Sequence, residues 1–235
     1  MLNEYLSHIP LSYAEHAHLG WRFSLEQVLK RRYKWLPISL SELARTSAYF
    51  PVVIVQQRQR WSMAVLLDES LELQANLQGS EAAKERFLPM CLQAYPFSLQ
   101  PSADNKSGAQ LCVAESALAT LKERGTLPLF GENRQFSASV IDRYHLLYRI
   151  KIDAEIAHSA CELLARKGVL ILISDVERQL TRIKDHSVPL YRINIDAIGR
   201  LSREDFADLQ MHHAMELGIY QYSSLFHVNM FHHYS

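Results

Sequence analysis

Val52-Val53-Ile54-Val55, then Gln56 to Arg60, then Trp61-Ser62-Met63-Ala64-Val65-Leu66-Leu67: a β-branched run, a polar turn and a second apolar segment. Four consecutive β-branched residues read as a buried strand, and the polar break is short enough to return the chain beside itself, so 52–67 is predicted to be a hairpin. Pro51 pushes Phe50 out of the helical region and starts that strand. Upstream, Ser41 opens a short helical stretch through Arg45. Earlier still, Leu19, Trp21 and Phe23 alternate with small or basic residues, as a half-buried strand would.

Downstream, Ala83, Phe87, Cys91 and Tyr95 recur every four positions, with Pro89 set to bend or split that helix. Tyr95-Pro96-Phe97 makes an extended exit. The turn-rich stretch from Pro101 to Gly108 lies between Phe97-Ser98-Leu99 and Leu111-Cys112-Val113, which can pair across it. Ile141, Tyr144, Tyr148, Ile152, Ile156, Ala160 and Leu163 predict one long helix over 138–167. Ser139 with Asp142 forms its capping box and Gly168 its terminator. Strands are expected at 169–173, 176–183 and 190–195, the last two joined by Lys184 to Ser187. Ser202 with Asp205 caps a further helix, and Met215, Ile219, Tyr222, Phe226 and Met230 mark the buried stripe of the last one. The order predicts an α+β fold: an antiparallel sheet of hairpins packed against a long central helix and C-terminal helices, in one domain over 1–235.

Composition narrows the function. Lys plus Arg and Asp plus Glu number 25 each, so the formal charge is zero and no global field draws the chain to nucleic acid or an anionic surface. Cys91, Cys112 and Cys161 lie far apart with no CxxC spacing, which argues for free thiols in a reducing compartment. The first residues carry no basic segment followed by an apolar run, so a secretory signal is not expected. The apolar run Val169 to Ile173 is far short of a bilayer span. No membrane insertion is expected, and the cytoplasm is the predicted location.

Short motifs arrive in a telling order: Pro10-Leu11 with His16 and Leu19, Tyr49-Phe50-Pro51-Val52-Val53, Phe87-Leu88-Pro89, and Tyr95-Pro96-Phe97. Leu111-Cys112-Val113, Pro128-Leu129-Phe130-Gly131, Leu190-Tyr191-Arg192-Ile193, Gly218-Ile219-Tyr220 and Ser223-Ser224-Leu225 follow. Together they resemble the SapC family, named from a surface-layer gene region. Gln93-Ala94 stands where family members tend to carry two arginines, and Ala114 stands before Glu115 where an acidic residue directly follows the strand. The resemblance implies a bacterial, intracellular accessory protein, since members are found beside flavin-dependent halogenases and outer-membrane uptake receptors.

The candidate chemistry is sparse. Eleven histidines stand out, and His212 with Glu216 has the i, i+4 spacing of a metal pair on a helix, though with no third ligand. Glu15 with His18 and Glu155 with His158 show Glu-x-x-His spacing, which an interfacial histidine also satisfies. No nucleophile elbow, glycine-rich phosphate loop or zinc-protease motif occurs. Arg178, Arg182, Lys184 and Arg192 form a basic cluster. Tyr49, Phe50, Tyr95 and Phe97 each adjoin a proline in stiff corners that either close the core or wall a pocket. The ligand-binding candidates are therefore Tyr49, Phe50, Tyr95, Phe97 and Arg192. No cofactor is expected. The leading reading is a non-catalytic binding or accessory protein with a protein partner or small ligand; the alternative is a metal-dependent enzyme using histidines. Aromatic residues between Tyr220 and Tyr234 predict a homodimer.

Overall fold

The computed structural model describes residues 7–23, 35–57, 59–66, 88–102, 108–174 and 188–231, the last segment with side chains to residue 225. In chain order the elements are β1 (His8–Pro10), α1 (Tyr13–His16), β2 (Leu19–Trp21), β3 (Trp35–Pro37), α2 (Leu43–Thr46), β4 (Val52–Gln57) and β5 (Arg60–Leu66). Then come α3 (Met90–Gln93), β6 (Phe97–Pro101), β7 (Ala109–Ala114), β8 (Leu118–Thr120), β9 (Leu127–Pro128) and α4 (Ala138–Arg166). The chain closes with β10 (Leu170–Leu172), β11 (Leu190–Ile193), α5 (Ile195–Ile198), α6 (Arg203–Met211) and α7 (Ala214–Phe231). All strand pairs among the described residues are antiparallel, and the fold is α+β. The chain divides into two compact units, one from Met1–Arg31 with Met90–Lys151 and one from Arg32–Pro89 with Ile152–Ser235.

In the first unit β1, β7 and β6 form one sheet, with Phe97 opposite Val113 and Leu99 opposite Leu111. Alternation puts Phe97, Leu99, Leu111 and Val113 on one face, where they join Leu11, Trp21, Leu129 and Val140 in a shared core. A second small sheet has the order β8-β2-β9. Its centre is Gly20, paired with Ala119 on one side and Pro128 on the other. A Cβ there would fall 2.4 Å from Thr126 Cγ2 and 2.5 Å from the Leu127 carbonyl oxygen, so the crossing requires glycine.

The second unit is built on the predicted hairpin. Its sheet runs β10-β11-β4-β5-β3, and Val52 to Val55 in the central strand are wholly buried on both faces, as their unbroken β-branched run requires. The strands pair out to Gln57 and Arg60, so the turn is tighter than the polar segment implied, and Gln59 takes the positive φ of 65° that a two-residue loop favours. The strand expected at 190–195 ends at Ile193, because Asn194 turns its side chain to accept from the Ala197 amide and caps α5. Its hairpin partner among the described residues is β10, with Leu170 opposite Ile193. The strand expected at 176–183 and its turn lie outside the described residues, as do residues 80–87 of the predicted helix before Tyr95.

The long helix runs from Ala138 to Arg166. Ser139 falls inside its first turn rather than at the cap, and the Val140 and Ile141 amides donate to the Ser137 carbonyl. At the other end Gly168 adopts φ 66°, its amide donates to Ala165, and the Val169 amide reaches back to Leu164. That paired closure is a Schellman motif, and it frees Val169 to enter β10. Just before it, Lys167 donates to Asp205 and to Asp208 (2.9 Å), and Ser202 accepts from the Asp205 amide as predicted. The Lys167 contact, with the Ser202 hydroxyl, holds the Asp205 carboxyl below its ordinary range.

The predicted buried stripe of α7 is corrected, and the apolar row that marks α4 proves largely exposed. On α4, Ala160 and Leu163 are buried, but Ile141, Tyr144, Tyr148, Ile152 and Ile156 are each 38% to 50% exposed. The half-buried positions between them are Arg143, Leu146, Leu147, Ile150 and Asp153. On α7 the buried residues are Ala214, Leu217, Gly218, Gln221 and Ser224, while Ile219 and Tyr222 face solvent. The reason is proximity: a Cβ on Gly218 would sit 3.1 Å from Ile193 Cδ1, so this helix comes close to Ile193 at Gly218, with Leu217 buried beside it and Ile219 and Tyr222 on the outward side. Phe226 and Met230 lie outside the described side chains.

Candidate functional site

Five aromatic and basic candidates divide between the units. Phe97 is core: its ring meets Trp21 edge-on at 5.0 Å, and the Arg143 guanidinium lies 6.0 Å from the Trp21 ring. Tyr95, which precedes a cis Pro96, is also buried, with Phe23 edge-on at 6.3 Å. In the second unit Phe50 is buried behind the turn in which its amide donates to the Thr46 carbonyl. Tyr49 beside it is half exposed. Arg192 is half-buried in β11 and donates to the Ile193 carbonyl at 3.3 Å. Its predicted companions Arg178, Arg182 and Lys184 lie outside the described residues.

Around the first corner, Trp21 Nε1, the Tyr95 hydroxyl and Ser98 Oγ are buried polar atoms with no hydrogen-bond partner among the described residues. An unpartnered buried hydroxyl costs about 1 to 3 kcal/mol. Tyr95→Phe keeps the ring and removes that hydroxyl, so it is expected to leave folding stability unchanged or raise it by up to about 1 kcal/mol in urea denaturation. A loss larger than about 1 kcal/mol would mean that the hydroxyl is bonded in solution.

The reactive side chains are largely spent on structure. Burial pushes the Cys161 and Cys112 thiols up, away from the thiolate that a nucleophile needs. His16 is buried and its Nδ1 lies 3.2 Å from the Ser12 amide and 3.0 Å from the Ser12 carbonyl. His158 holds the Trp61 carbonyl at 2.9 Å, which makes the Glu155-x-x-His158 spacing a packing feature; Glu155 itself pairs with Arg60. The predicted His212 and Glu216 pair does not lie within one helix. The chain breaks between α6 and α7 at His212 and His213, where His213 takes φ 58°, and it is His213 whose Nδ1 lies 3.4 Å from Glu216. Among the described residues no three His, Cys, Asp or Glu side chains form a group able to hold a metal.

One buried polar constellation went unread in the sequence. Extending the β11–β4 register of Leu190 with Val55 and Tyr191 with Ile54 would set Ile193 opposite Val52. There the Gln221 side chain stands in for the direct bond: its Oε1 accepts from the Ile193 amide at 3.1 Å and its Nε2 donates to the Val52 carbonyl at 3.1 Å. Ser224 Oγ completes it, accepting from the Val52 amide at 2.9 Å and donating to the Gln221 carbonyl at 2.7 Å. This bridge joins α7 to two strands at full burial and does structural work.

Apolar side chains also face outward on α4. The ladder from Ile141 to Ile156 on α4 includes stacked Tyr144 and Tyr148 rings, 6.4 Å apart and 21° from parallel. No described helix is long and apolar enough to cross a membrane. The family model for SapC matches residues 11–231, and the chain belongs to the SapC family. No curated protein and no solved structure matches it.

Proposed function

We propose that this chain is a non-catalytic binding or accessory protein that presents the apolar face of α4 to a partner and forms a homodimer. The observation that carries the reading is the solvent-facing row of Ile141, Tyr144 and Tyr148 in the first unit, more apolar surface than a helix keeps in water without use for it. The two units count as one SapC domain, since both are interleaved in sequence within the 11–231 match. Its setting is the bacterial cytoplasm, and the partner classes that family resemblance supplies are a flavin-dependent halogenase and an uptake system. Among the ligand candidates Tyr49 combines exposure with a hydroxyl, which makes it the residue best placed to touch a partner or small ligand.

The competing reading, a metal-dependent enzyme using histidine ligands, is separated from this one by metal analysis of untagged protein together with melting in the presence and absence of chelator. The binding reading expects a melting temperature that chelation leaves in place.

A further inference from the structure

We propose that the face of α4 around Tyr148 docks an acidic amphipathic helix of another protein. This rests on the partner-binding reading above and names the partner's chemistry. Within the first unit the face carries Ile141, Tyr144 and Tyr148, exposed by 39%, 38% and 50%, with the two tyrosine rings stacked. Rings already held in place lose little freedom when a second surface covers them, which suits them to the centre of an interface.

The rim of this face is basic. Neighbours on a helix surface lie three and four positions apart, so Tyr148 is flanked by Tyr144 and His145 on one side and by Lys151 on the other, with Arg149 adjoining. His145, Arg149 and Lys151 are all exposed. None of them pairs with a carboxylate among the described residues. His145 contacts the Tyr144 ring at 6.1 Å, and Arg149 donates to Met90 Sδ at 3.6 Å. Asp142, the one acidic residue between Ala138 and Lys151, lies six positions before Tyr148, well over a turn away. Glu155, one turn beyond Lys151, is paired with Arg60 within the other unit. The chain as a whole has a formal charge of zero, so the cations are a feature of this face and not of the protein at large.

An apolar centre with an unpaired basic rim is complemented by an apolar stripe with carboxylates along its edges. An amphipathic helix supplies both, because steps of three and four keep its apolar side chains in line while the flanking positions hold glutamate or aspartate. Two other occupants fit less well. A second copy of this chain would set the same cations against these, and like charges across an interface oppose pairing. On an anionic bilayer, two permanent cations and three half-exposed apolar side chains give only a weak hold.

The test titrates the full chain against three labelled helical peptides of ~18 residues, each with a leucine face flanked by glutamate, by glutamine or by lysine, and reads fluorescence anisotropy. The glutamate peptide is expected to bind at least about tenfold more tightly than the lysine peptide, with the glutamine peptide between them, and added salt should shrink the difference. In the Arg149→Glu/Lys151→Glu double variant, its folding verified by circular dichroism, the order should invert, and Tyr148→Ala should weaken all three. Equal binding of the glutamate and glutamine peptides, or an order that the double variant leaves unchanged, would overturn the acidic partner and leave the α4 reading standing. No binding of any peptide up to about 1 mM would overturn both. Uptake by phosphatidylglycerol vesicles in place of the peptides would give the face to a membrane, and self-association in sedimentation that Tyr148→Ala abolishes would give it to a second copy; either result overturns the proposal.

Discussion

Gln221→Leu is expected to destabilise the fold by about 2 to 5 kcal/mol. Leucine preserves most of the volume and the helix propensity, so the change isolates the amide. Its loss strands the Ile193 amide and the Val52 carbonyl, which Gln221 now satisfies at 3.1 Å each. Both lie in a sheet sealed from water, with Val52 and Ile193 fully buried, and each orphaned group carries about 1 to 3 kcal/mol. Ser224 keeps its bond to the Val52 amide, so the damage should centre on one acceptor and one donor. Tyr222→Leu, on the exposed side of the same helix, is the control and should move stability by less than about 0.5 kcal/mol. Equal urea midpoints for Gln221→Leu and the unsubstituted chain would show that the amide bridge does not hold the strands.

Gly20→Ala is expected to cost about 2 to 4 kcal/mol, although alanine adds a single methyl group. The added carbon would lie 2.5 Å from a backbone oxygen, that of Leu127, and a carbonyl fixed in the β2–β9 pairing cannot rotate away as a side chain could. Either β9 separates from β2 or the strand twists and draws Trp21 out of the core it shares with Phe97 and Val113. A lower thermal midpoint and a red-shifted tryptophan emission should appear together. An unshifted midpoint would mean that the small β8-β2-β9 sheet opens in solution without consequence.

The parts of this fold that were legible in the sequence are those whose cause is local. A β-branched run with a polar break makes the 52–66 hairpin, a turn-rich insert makes the β6–β7 pair, and Gly168 and Ser202 punctuate their helices because their own backbone and side-chain chemistry does so. The faces of α4 and α7 were not legible. Periodicity shows that a helix has an apolar side, but it does not show that the side is turned inward. On α7 the better signal was small: Ala214, Gly218, Gln221 and Ser224 make a narrow row that permits close approach to Ile193, and a polar residue in such a row marks a backbone group needing a partner. The break at His212 and His213 carried no glycine or proline to announce it, which is why an i, i+4 metal pair was read across what proves to be two helices. The aromatic corners were read as either closing the core or walling a pocket, but two of their residues lie in each unit, and sequence proximity to proline says nothing of which ring stays exposed.

The central claim is that this SapC-family chain acts by holding a partner rather than by metal-dependent chemistry. Its most direct test is the metal content and melting temperature of untagged protein, before and after chelation. The account predicts substoichiometric metal and a melting temperature unchanged by chelator. One iron or zinc per chain, removed by chelator with a fall in melting temperature, would contradict it and return the histidines to the centre of the function.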